Sequence, residues 1–99
     1  MSGARSAAEI IVEGRVQVVG YRNYAQRRAA SLGLNGFVMN LKDGRVRVHA
    51  EGDRPVIEEM VRLLEKGPPL ARVARVTVRW GVPRGRFGAF DIRHAESEP

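Results

Sequence analysis

The sequence predicts an α+β domain: one antiparallel sheet with two helices packed on one of its faces. Three observations carry this. Segments rich in Val and Ile alternate with two segments of helical periodicity, in the order β-α-β-β-α-β with a short extra strand at the end. The middle strands are joined by Asp43-Gly44, a strong hairpin signal. And 99 residues at 43% hydrophobic content suit one core and leave little room for a second.

The elements follow in order. Residues 1–8 are small and polar and are expected to fray, so a single domain is expected over 9–94. Glu9 to Val16 reads as a strand. In RNYAQRRAASL, Tyr24, Ala25, Ala29 and Leu32 fall at helical spacing, and Gly33 supplies the stop. A strand is expected around Phe37-Val38-Met39. Past the hairpin turn, Arg45 to Ala50 alternates polar and apolar residues as a half-buried strand does. Asp53 and Pro55 mark a helix start, with Val56, Ile57, Met60, Leu63 and Leu64 on one face. Gly67-Pro68-Pro69 ends that helix, and Val73 to Val82 reads as a strand. PRGRFG is a turn, and Phe90 to Ile92 adds the last short strand. The economical packing of this order is the ferredoxin-like α/β sandwich.

Composition narrows the chemistry. There is no cysteine, which excludes disulfides, thiolate metal sites and a cysteine nucleophile. His49 and His94 are distant in sequence and are read as surface or strand residues, not ligands; no metal and no cofactor is expected. No apolar run approaches the roughly 20 residues that span a bilayer, and MSGARSAAEI lacks a leader's apolar stretch. The expectation is a cytoplasmic monomer with no membrane partner. Net charge is +6, with arginine far outnumbering lysine. That fits a solvated surface, a nucleic-acid partner or a small anionic substrate, and charge alone does not choose.

The predicted topology sharpens the choice. It brings the loop 14–22, the turn from Asn40 to Gly44 and the segment from Gly67 to Arg72 to one rim. GRVQVVGYR, residues 14–22, runs from a strand into a helix N-terminus, where free N–H groups and the helix dipole favour an anion. Arg22 adds a planar fork that matches phosphate oxygens. On spacing alone most such stretches are ordinary strand ends followed by an arginine. Asn40 likewise reads as turn chemistry or as a carboxamide that positions water. Without a cysteine, direct attack by a positioned water is the route consistent with a phosphate loop.

VEGRVQVVGYR, LGLNGFVMNLKDGRVRVHAEG, GPPLARV and GAFDIR together make the chain similar to acylphosphatase over roughly residues 9–93. The resemblance implies the ferredoxin-like fold and a small metal-independent hydrolase. Its substrates would be acyl phosphates, cleaved to carboxylate and inorganic phosphate. By motif match, Arg22 takes the place of the phosphate-binding arginine and Asn40 that of the asparagine that orients water. Backbone N–H groups of the loop Arg15, Val16, Gln17, Val18, Val19 and Gly20 would cradle the phosphoryl oxygens.

Two residues depart from the family loop, usually written GRVQGVGFR. Tyr21 stands for Phe, and its hydroxyl must face solvent or find a partner. Val18 stands for a glycine. If position 18 needs positive φ, a β-branched residue there is an outlier. The loop then tolerates valine, works with reduced activity, or belongs to a binding relative; reduced activity with a retained site is the expectation. An acidic-partner binding domain and an RNA-binding module are the competing classes. RGRFGAFDI echoes an aromatic RNA-binding strand, but it falls on the last strand, and RVRVHA offers no aromatics for stacking.

Overall fold

A computed structural model describes residues 5–94; residues 1–4 of the stretch expected to fray lie outside the described residues. The elements are β1 (Arg5–Arg15), α1 (Tyr21–Ser31), β2 (Asn35–Asn40), β3 (Val46–Asp53), α2 (Arg54–Lys66), β4 (Arg72–Gly81) and β5 (Phe90–Arg93). They form one five-stranded sheet in the order β4-β1-β3-β2-β5. The two helices cover one face, in the ferredoxin-like arrangement.

The alternation read from the sequence decides which face is covered. Ala8, Ile10 and Val12 of β1 lie in the core with Val46, Val48 and Ala50 of β3. Ile10 pairs with Val48 in the antiparallel register, so a one-residue slip would turn both rows out of the core. Helix α2 contributes Ile57, Met60 and Leu64, and α1 contributes Tyr21, Ala25 and Ala29. The two alanines let α1 lie close to the sheet. The hydroxyls of Tyr21 and Tyr24 donate to the carbonyl oxygens of Leu64 (2.6 Å) and Leu63 (2.7 Å) at the end of α2. Tyr21 thus has a partner, and burial pushes its phenol pKa up. Asp53 starts α2 without a side-chain capping bond.

Two expectations need correction. Residues 5–8 do not fray. Arg5–Ala8 pair with Asp53–Ala50 of β3, and Ala7 and Ala8 also pair with β4 and are buried. Low local propensity is overridden by neighbours on both sides. The sheet is not purely antiparallel: β5 runs parallel to β2. Strand β4 ends opposite Ala7, away from the rim. Residues 82–89 then cross to the other edge at that same end, so β5 can only run back beside β2 in its direction. On the edge strand β4, Trp80 pairs with Ala8 and packs against the core, beneath the guanidinium of Arg54 at 4.1 Å.

The crossing segment is a strap on the sheet face opposite the helices. Backbone N–H groups of Arg84 and Gly85 donate to the Glu51 carboxylate. Asn35 donates to the Gly88 carbonyl. Phe87 packs against His49 and Phe37. Phe90, the aromatic of the last strand, points into the core and is 3% exposed. It presents no ring for stacking bases, whereas Phe87 of the same stretch is half-buried.

Candidate active site

The predicted rim exists. Gly14 and Arg15 end β1 beside Val73 and Arg72 of β4, after a register shift at Glu13/Gly14. A Cβ on Gly14 would lie 2.2 Å from the Arg72 carbonyl oxygen, so only glycine admits this approach. Gln17 reaches over to the hairpin, donating to the carbonyl oxygens of Leu41 (2.8 Å) and Arg45 (2.9 Å). The loop is thereby fastened to the turn that follows Asn40.

Within the loop the side chains leave the middle clear. Val16 is buried, and Val19 packs against the core. Gln17 is spent on the hairpin, and Arg15 is exposed beside β4. Gly20 takes a left-handed conformation (φ 77°) and opens α1 with no side-chain cap. The first helical bond runs from the N–H of Tyr24 to the Gly20 carbonyl. The N–H groups of the first turn therefore have no capping side chain, and no acidic residue occupies that turn. Val18 also has positive φ, at 61°, the only non-glycine among the described residues to do so. A β-branched side chain there costs about 1–3 kcal/mol. Its isopropyl group is fully exposed at the edge of the cleft that it lines with Arg22 and Asn40.

These elements frame a cleft of about 460 Å³ lined by Val16, Val18, Gly20, Tyr21, Arg22, Asn23, Asn40, Ile92 and His94. Arg22 and Asn40, distant in sequence, face the same space. Of the expected loop residues, Val16, Val18 and Gly20 line it, whereas Arg15, Gln17 and Val19 do not. Sequence reasoning missed Ile92 and His94, which arrive because β5 runs up beside β2 and continues past Met39. Arg22 Nη1 donates to His94 Nδ1 at 3.3 Å. Asn40 is half-buried, and its Oδ1, shielded from solvent, finds no hydrogen-bond partner in the protein.

The chemistry these groups permit is specific. A guanidinium and an uncapped helix N-terminus suit a tetrahedral oxyanion. The Asn40 carboxamide on the same cleft has both a donor and an acceptor to offer a water. Among the described residues no group of three or more His, Asp or Glu side chains has metal-binding geometry.

The acylphosphatase family model matches residues 8–92. The acylphosphatase of Anaeromyxobacter sp. (strain Fw109-5) is 48% identical over 87 residues, covering 88% of this chain and 94% of that protein. The Thermus thermophilus acylphosphatase is 51% identical over 78 residues, covering 79% and 89%. The crystal structure of acylphosphatase from Bacillus subtilis matches with a TM-score of 0.86 at 34% identity, over 89% of this chain and 98% of that one. The loop, the rim and these relatives agree: the chain belongs to the acylphosphatase family, enzymes that hydrolyse acyl phosphates.

Proposed function

We propose that Arg22 and the backbone N–H groups from Arg15 to Gly20 and into the first turn of α1 hold the phosphoryl group, while Asn40 holds the attacking water. The observation that carries this reading is that Arg22 at the N-terminus of α1 and Asn40 at the end of β2, distant in sequence, line one cleft. Water attacks phosphorus in line with the bond to the acyl oxygen. That bond breaks, its electron pair leaves on the carboxylate, and a phosphoryl oxygen accepts the water's proton. A carboxylate is a good leaving group, so no strong general acid is needed. Positioning and charge neutralisation supply the rate. The products are carboxylate and inorganic phosphate.

The same reading takes the enzyme as a cytoplasmic monomer, one domain acting without metal, cofactor, membrane or nucleic acid. Val18 holds its turnover below that of a glycine loop, because the strain of its positive φ makes the loop harder to keep in the binding conformation.

Benzoyl phosphate hydrolysis, followed by ultraviolet absorbance without added metal, tests the assignment. Turnover is expected in the unmodified protein. Arg22→Ala and Asn40→Ala are each expected to lower kcat/KM by at least about 10²–10³ while remaining folded. Full activity in either folded variant removes that residue from its role. No turnover in the folded unmodified protein overturns the reading.

A further inference from the structure

Nothing in the fold accounts for Val18. It is the only described non-glycine residue with positive φ. A β-branched side chain is the kind least suited to that conformation. Buried contacts often offset such strain, but the Val18 side chain makes none: its exposure is 101% of the reference value. The other exposed large hydrophobics among the described residues, Leu70 and Val82, do not line the cleft; Val18 does. A strained, solvated apolar group at the mouth of a phosphate site has its compensation outside the chain.

In-line displacement says which part of the substrate can supply that contact. The water attacks from one side of phosphorus, and the acyl oxygen leaves from the other. With the water held by Asn40 on β2, the acyl group extends toward the parts of the rim that β2 does not provide. Val18 is on the β1–α1 loop. Of the other aliphatic residues in the cleft, Val16 is buried and Ile92 on β5 is partly buried, which leaves Val18 the most exposed.

Resting on the catalytic reading above, we propose that Val18 sets acyl-group preference: its isopropyl group forms an apolar lip that selects acyl phosphates with aromatic or branched aliphatic acyl chains over acetyl phosphate. Covering one exposed face of an isopropyl group with substrate gives a selectivity of about three- to tenfold. The lip acts on the bound acyl chain and takes no part in proton transfer.

The experiment compares kcat/KM for benzoyl phosphate and acetyl phosphate in the unmodified enzyme, Val18→Gly and Val18→Thr. Threonine keeps the branched shape and the backbone strain but replaces a methyl group with a hydroxyl. The benzoyl-to-acetyl ratio is expected to fall about three- to tenfold in both variants, whatever happens to overall turnover. An unchanged ratio in both overturns the proposal. A ratio that falls in Val18→Gly but holds in Val18→Thr also overturns it, because backbone conformation and not the apolar contact would then set preference. Calorimetry with phenylphosphonate and methylphosphonate keeps this separate from the catalytic reading. If the enzyme hydrolyses neither acyl phosphate, that reading falls. Tighter phenylphosphonate binding that is lost in Val18→Thr would still support the lip, and equal binding of the two phosphonates would overturn it.

Discussion

At the rim, Asn40 Oδ1 is shut off from solvent and has no protein partner. On the opposite sheet face Glu51 is equally inaccessible, yet it accepts from the backbone N–H groups of Arg84 (2.9 Å) and Gly85 (3.0 Å) and faces His49 Nε2 at 2.7 Å. His49 turns its other nitrogen to Glu9, which also accepts from Arg47 Nε at 2.9 Å. One cluster closes on itself and pins the strap 82–89. The other leaves an acceptor unpaired and a valine strained. A buried polar group without a partner costs about 1–3 kcal/mol, so the rim is kept at the expense of stability. The sheet-face cluster contributes stability through its mutual hydrogen bonds. Which groups are satisfied therefore separates structural polarity from functional polarity in a molecule rich in both.

The largest effects should fall on opposite observables. Asn40→Ala, expected to lose at least about 10²–10³ in kcat/KM, should unfold at a denaturant concentration equal to or above that of the unmodified protein, because it removes an unpaired acceptor. Glu51→Ala should do the reverse. It orphans the Arg84 and Gly85 N–H groups and one nitrogen of His49, so a loss of about 3 kcal/mol is expected from urea unfolding. Under native conditions kcat should stay near its original value. A Glu51→Ala enzyme that is stable but inactive would erase the distinction between the two clusters.

The same network predicts an acid limb. Burial pushes the Glu51 pKa up, but the Arg84 N–H, His49 and the Gly85 N–H together outweigh it, and the carboxyl titrates below its ordinary value of 4.5. Glu9 behaves likewise: burial raises it, and Arg47 and His49 more than reverse that. The folded state thus binds these protons more weakly than the unfolded chain. Their stabilisation is complete above about 4.5 and is lost as pH falls through the lowered values. Thermal unfolding between pH 3 and 6 should show Tm falling with acid, and Glu51→Gln should flatten the fall. A Tm that is level across this range, or equally steep in Glu51→Gln, would deny the cluster its stabilising role.

The two clusters were unequally legible in the sequence. The strands and helices were legible because alternation, Asp43-Gly44 and Gly67-Pro68-Pro69 are local signals. Arg22 and Asn40 were legible because their motifs are contiguous, and topology alone brought their loops to one end. The strap was read as a turn, since Pro83, Gly85 and Gly88 report only local backbone preference. Its bonds to Glu51 span more than thirty residues. For the same reason His49 looked like an ordinary strand residue: its partners lie on another strand and one pleat along its own. His94 and Ile92 were missed because nothing in FDIRH says which sheet edge the last strand joins. That follows only once β4 is known to end away from the rim.

His94 tests the comparison from its weakest side. Unlike Asn40, it is an exposed member of the rim, and its bond to Arg22 is long at 3.3 Å. If the rim is organised around what the substrate will meet, this contact orients the guanidinium before phosphate arrives. An exposed hydrogen bond of this kind is worth about 0.5–1 kcal/mol, so His94→Ala should raise KM for benzoyl phosphate by about two- to fivefold with little change in kcat. His94→Gln, which restores an acceptor, should recover most of the loss. Stability should move less than in Glu51→Ala, because His94 is exposed whereas Glu51 is buried. A shift in unfolding midpoint comparable to that of Glu51→Ala, with KM unaltered, would place His94 with the structural groups and shrink the open cluster to Arg22, Asn40 and the loop.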